Sequence, residues 1–122
     1  MSPALRAVRG ATTLDADTEE QVTKRVQELV TAMLERNSLR RSDLVSVLFT
    51  ATADITSKYP ATAARALGLD DVPLMGAQEL SVKGGLARCV RVMMHVETDL
   101  GRHEVRHVYL HGAQSLRDDL PG

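Results

Sequence analysis

Four histidines stand in the second half of the chain, and three of them, His103, His107 and His111, are spaced four apart. On a helix that spacing would line one face and could hold a metal ion. The residues Arg106-His107-Val108-Tyr109-Leu110-His111 read instead as a β-strand. Along a strand His107 and His111 lie more than about 10 Å apart, too far for one ion. No metal site is expected, and the histidines read as solvated or interface groups. Cys89 is the only cysteine. A nucleophilic thiol needs an oriented base beside it; none is indicated, and a buried cysteine packs as a small hydrophobe. Lys83-Gly84-Gly85 is too short for a phosphate loop and reads as a turn. No nucleophile elbow or dinucleotide fingerprint occurs in the sequence, so no cofactor is expected.

Four other residues are harder to explain as structure. Arg91 sits inside a strand-like run, between Val90 and Val92. A guanidinium there must reach solvent or meet an anion, because an unpaired buried charge is very costly. Arg9 ends a short apolar segment beside Gly10, where a side chain can point into a cleft. Glu79 follows Gln78 at the end of the run Val72–Ala77, and Tyr109 places a hydroxyl in the last strand. Spacing alone leaves two readings open. One is an intramolecular Arg–Glu pair tying strands together; the other is a pocket that recognises a small anion.

The clearest element able to position these groups is a helix from about Thr18 to Arg36. Asp17 is its expected N-cap, with Glu20 completing a capping box, and Asn37 its stop. Val22, Val26, Leu29, Val30, Met33 and Leu34 form one apolar stripe. Strands are expected over Leu5–Val8, Leu44–Thr52, Arg88–Thr98 and Arg106–His111, with a weaker one over Val72–Ala77. The near-continuous apolarity of Leu44, Val45, Val47, Leu48 and Phe49 predicts burial on both faces. By contrast Val90, Val92, Met94 and Val96 alternate with Cys89, Arg91, Met93 and His95. Pro60–Leu67 reads as a short helix, with Pro in its first turn and Gly68 as its stop. The expected class is α+β, a mixed β-sheet with one long and one short helix. One long helix covers only one sheet face, so the other is expected to pack on another subunit.

At 122 residues the chain fits one domain, 1–122, with enough buried surface to need no disulfide or metal staple. Hydrophobic residues make up 43% and charged residues 25%, a globular composition. Only three aromatics occur, Phe49, Tyr59 and Tyr109, so the core must be aliphatic. A net charge of −1 and scattered aromatics exclude a nucleic-acid partner. No apolar run reaches the length of a membrane span. Arg6 and Arg9 interrupt any secretory leader, and a lone cysteine fits a reducing cytoplasm. Twelve of the fifteen basic residues are Arg.

From Val8 to Leu120 the chain resembles the small, trimeric, non-helical chorismate mutases of the AroH type. The landmarks are Val8-Arg9-Gly10-Ala11-Thr12-Thr13, Asp17-Thr18-Glu19-Glu20, Ala51-Thr52-Ala53-Asp54 and Tyr59-Pro60-Ala61. Gln78-Glu79, Gly84-Gly85-Leu86, Cys89-Val90-Arg91-Val92-Met93-Met94 and Arg106-His107-Val108-Tyr109-Leu110 follow in order. The resemblance implies a homotrimer forming a pseudo-α/β barrel, with clefts at subunit interfaces. It also implies the rearrangement of chorismate to prephenate, in phenylalanine and tyrosine biosynthesis. That pericyclic shift needs no nucleophile, metal or proton transfer. It needs the flexible dianion held in a reactive conformation and positive charge at the breaking ether bond.

By the same resemblance Arg91 would stabilise the ether oxygen and contact a carboxylate, a task suited to a planar, permanently charged fork. Arg9 would bind a carboxylate, Tyr109 would donate a further hydrogen bond, and Glu79 would accept from the ring hydroxyl. Met75, Gly76, Ala77 and Gln78 would line the wall. Tyr59, Arg65 and Leu116 would lie near the entrance from the neighbouring subunit, with Arg117 steering the anion. The family commonly has Cys at Gly76, a small polar residue at Met75, Phe at Tyr59 and a basic residue at Thr62. Its loop before Pro73 is one residue longer. These departures leave Arg9, Glu79, Arg91 and Tyr109 in place, so activity is expected with weaker affinity. Two other readings are an enamine/imine deaminase of similar trimeric fold, active on imino acids, and a non-catalytic carboxylate-binding protein.

Overall fold

The computed structural model describes residues 3–119. Strand β1 (Ala4–Thr13) leads into helix α1 (Glu19–Arg36), then β2 (Leu44–Ala51), short helix α2 (Pro60–Arg65) and β3 (Leu74–Gln78). Strands β4 (Cys89–Thr98) and β5 (Val108–Tyr109) follow, and a 3₁₀ segment covers His111–Asp119. The strands form one sheet in the order β3-β2-β4-β1-β5. It is mixed: β4 runs antiparallel to β1 and β2, whereas β3 and β5 run parallel to β2 and β1. Among the described residues no helix is long and apolar enough to cross a membrane.

Helix α1 covers one sheet face with the stripe expected from its spacing: Val22, Val26, Leu29, Val30 and Met33 are fully buried. Val8, Val47, Phe49, Val90, Val92, Met94 and Val96 meet it from the sheet. Gly10 lets the two approach, since a Cβ there would collide with Met33 Sδ and crowd Leu29. Asn37 closes the helix and does more. Its amide donates to the Met33 and Arg106 carbonyls, and its side-chain oxygen accepts from the Arg106 N–H. Gly68, at φ 90°, ends the turn after α2, a conformation open to glycine at no steric cost.

Several boundaries differ from expectation for physical reasons. Thr18, not Asp17, is the N-cap of α1, its hydroxyl accepting from the Gln21 N–H at 3.1 Å. Asp17 instead accepts from the backbone N–H and hydroxyl of both Thr56 and Ser57. The Ser57 and Thr56 donors hold its carboxyl down at about 2. Strand β1 runs five residues beyond the expected Val8, because β4 supplies a partner for each residue through Thr13. Arg9 is therefore mid-strand. Burial of β2 on both faces is also corrected: Leu48 is 37% exposed on the face opposite α1, and Val45 is 42% exposed where the β2–β4 register shifts between Leu44 and Ser46. The last strand shrinks from Arg106–His111 to Val108–Tyr109, since β1 is its one neighbour and pairs with it only at Gly10 and Ala11.

Candidate active site

The sheet face opposite α1, covered only at its β1–β5 end by Ala113 and Leu116, carries the residues that resisted a structural explanation. Register places Ala77, Thr50, Arg91, Ala11 and Tyr109 side by side in one row across all five strands. Arg9 sits two residues before Ala11 on β1, diagonal to Arg91, a relation that spans about 7–8 Å between Cα atoms. Ala11 and Ala77 are the small members of the row, and Ala11 lies between Arg91 and Tyr109. Between two long side chains it leaves a hollow, lined by Arg9, Leu48, Glu79, Arg91, Tyr109 and Leu116 among others.

The polar groups there are linked. Arg9 Nη2 donates to the Tyr109 hydroxyl oxygen at 3.0 Å. Arg91 Nε lies 3.4 Å from Glu79 Oε2, and the Thr50 hydroxyl donates to the same Oε2. The Glu79 backbone N–H donates to the Ala51 carbonyl at 2.9 Å, which fixes the carboxylate just beyond the end of β3. Arg91 keeps 46% and Glu79 26% of its side chain exposed. The arginine and glutamate thus pair, and they do so inside an open cleft. The cleft encloses about 210 Å³, below the roughly 300–1,000 Å³ of typical small-molecule sites.

Other expected site residues fall elsewhere on the protomer. Tyr59, Arg65, Gly76, Ala77 and Gln78 line a separate groove of about 880 Å³ between the α2 region and the β2–β3 edge. Met75 lines neither cavity and is 67% exposed. Leu116 packs against Ala11, Tyr109 and Ala113 of its own chain and borders the cleft. The Arg117 side chain lies outside the described residues. Thr50 borders both the cleft and the groove.

Comparison with known proteins bears directly on this arrangement. The family described as chorismate mutase type I matches residues 5–120. The chain belongs to the type I chorismate mutases. It is 43% identical over 117 residues to chorismate mutase AroH of Bacillus subtilis (strain 168), covering 95% of this chain and 92% of that one. To chorismate mutase AroH of Thermus thermophilus it is 44% identical, covering 95% and 96%. A solved chorismate mutase from Clostridium thermocellum superposes with a TM-score of 0.88 at 42% identity, covering 89% of this chain and 97% of that one. The chain is accordingly an isomerase.

Sequence reasoning missed two residues of this mutase. Thr50 gives no signal because a threonine in a strand is ordinary; only register sets it opposite Arg91. Lys58 borders the groove and donates to the Thr23 hydroxyl at 2.8 Å. It sits four residues before Thr62 and brings a cation to the groove that Thr62 does not supply.

Three of the four histidines have hydrogen-bond partners, and Cys89 is buried. Burial pushes the Cys89 thiol up, which keeps it protonated at neutral pH. His95 meets Ser46 and His111 meets Glu28. His107 Nδ1 accepts the Arg9 backbone N–H at 3.0 Å, so the neutral ring carries its proton on Nε2. Burial, then the Arg9 charge, lowers its pKa below the ordinary 6.5. The folded mutase therefore binds the neutral ring better than the unfolded chain does. That stability is complete above the unfolded value and is lost as pH falls through the folded one. Melting temperature is expected to decline below about pH 6.5, and less so in a His107→Gln variant, whose amide can accept without titrating. Equal pH slopes for the two proteins in thermal melts would exclude this role.

Proposed function

We propose that the mutase converts chorismate to prephenate in a composite site. The Arg9–Arg91 cleft of one copy is closed by the Tyr59–Arg65 groove of a neighbour within a homotrimer. The observation that carries this is the division of the candidate residues. One protomer holds two incomplete concavities, and the exposed sheet face between them bears Leu48 and Met75. Facing copies would cover those apolar side chains and complete both halves. A single buried thiol suits such an enzyme in the cytoplasm.

Chemistry follows from charge and shape. Chorismate is a flexible dianion that must fold into a chair-like conformer before its bonds exchange. Arg9, with Tyr109 beside it, holds one carboxylate and so freezes the reactive geometry. Arg91 sits where negative charge grows on the ether oxygen and lowers the barrier by stabilising that charge. Glu79 accepts from the ring hydroxyl and orients the ring. Each step is binding or electrostatics; no proton need move.

Complementation tests the shared site. Arg91→Ala spoils the cleft, and the double variant Tyr59→Ala/Arg65→Ala spoils the groove. Each protein alone is expected to consume chorismate slowly, as followed by loss of its ultraviolet absorbance. Unfolded, mixed in equal amounts and refolded together, they should regain about a quarter of wild-type activity, because random pairing restores one intact site in four. A mixture no faster than the mean of its parents, or a monomer by light scattering, overturns the composite site.

A further inference from the structure

We propose that Thr50 is a positioning residue of the mutase: its hydroxyl holds the Glu79 carboxylate back from Arg91 and so keeps the guanidinium available to substrate. This rests on the catalytic reading above. Thr50 lies directly opposite Arg91 in the β2–β4 register, and its hydroxyl donates to Glu79 Oε2. That same oxygen is the one nearest Arg91 Nε, at 3.4 Å. A full charge-assisted hydrogen bond between such groups spans about 2.7–2.9 Å, so the ion pair is open by roughly half an ångström. Two restraints hold it there. The Glu79 backbone is tied to the Ala51 carbonyl, and the carboxylate is tied to Thr50. With Oε2 engaged by Thr50, Oε1, which has no hydrogen-bond partner among the described residues, can accept from a substrate hydroxyl. Without the Thr50 hydroxyl the carboxylate can close on the guanidinium with both oxygens. Arg91 would then enter the transition state already neutralised, and its field at the ether oxygen would fall.

The effect should appear in kcat more than in KM, because a neutralised Arg91 costs most where charge develops. Wild-type turnover of chorismate is measured first, and its absence would sink the catalytic reading itself. With turnover present, Thr50→Val, which keeps the shape and removes the hydroxyl, is expected to lower kcat about tenfold and change KM less than about threefold. Thr50→Ser should recover most of that loss. Should the valine variant not fold, Thr50→Ala makes the same test. The route through Glu79 is read from a second background. In Glu79→Gln, the further change Thr50→Val should cost little, because the charge it restrains is gone. An unchanged kcat in Thr50→Val, an equal loss in Thr50→Ser, or the same loss in both backgrounds would each overturn the proposal.

Discussion

Exchanging Arg91 for lysine is expected to lower kcat by one to three orders of magnitude while leaving the fold intact. The charge survives, so any loss measures geometry. Lysine presents a compact ammonium on a flexible stem, whereas arginine presents a rigid fork that can meet an ether oxygen and a carboxylate together. Removing a preorganised donor to developing charge typically costs about a hundredfold to a thousandfold, and a misplaced charge should recover part of that. Stability should barely change. Arg91 is half exposed and its ion pair to Glu79 is long; such surface pairs contribute at most about 1 kcal/mol. Steady-state kinetics on chorismate, with thermal melts of both proteins, check both halves of this expectation. Near-normal kcat would mean that Arg91 does not face the ether oxygen.

Truncating Phe49 to alanine should act the opposite way, on stability more than on chemistry. Phe49 is fully buried and heads the largest buried side chains of the core. It joins Val92 on β4 to Gly76 on β3 through the ladder. Losing a core phenylalanine costs about 3–5 kcal/mol, from lost burial plus the cavity left behind. In a domain whose whole stability is about 5–15 kcal/mol, that is a large share, and melting should fall by roughly 10–20 °C. Phe49→Leu, nearer in volume, should cost below about 2 kcal/mol. At low temperature the folded Phe49→Ala protein should keep far more of its kcat than Arg91→Lys, because Phe49 only backs the Tyr59–Arg65 groove while the Arg91 row occupies the other sheet face. A melting temperature within a few degrees of wild type would show that the core can collapse onto the gap.

Helix α1 and strand β4 were legible because their periods are long and unbroken. The 3.6-residue stripe from Val22 to Met33 and the alternation from Cys89 to Val96 each repeat often enough to fix a face. The β2 strand misled, since Leu44, Val45, Val47, Leu48 and Phe49 resemble a strand buried on both sides. Apolar residues on the open face look the same in sequence as core residues. Only the sheet, with α1 on one side, separates Phe49 from Leu48. The cap of α1 misled for a related reason. Asp17 and Thr18 are both good caps, and Asp17 is drawn away by four donors from Thr56 and Ser57, residues forty positions distant.

By itself the sequence determined the α+β class, the alternation that points Arg91 away from the core, and the family to which the chain belongs. These follow from local periodicity and from an ordered set of short motifs, which need no knowledge of distant contacts. Tertiary structure alone decided that Arg9 meets Tyr109, that Glu79 is shared between Arg91 and Thr50, and that Tyr59 and Arg65 lie in a different concavity. Each of those relations depends on strand order and register. A one-residue slip would turn Arg91 or Thr50 to the opposite face. Register is fixed by which side chains the whole sheet buries against α1, and no local stretch of sequence contains that information.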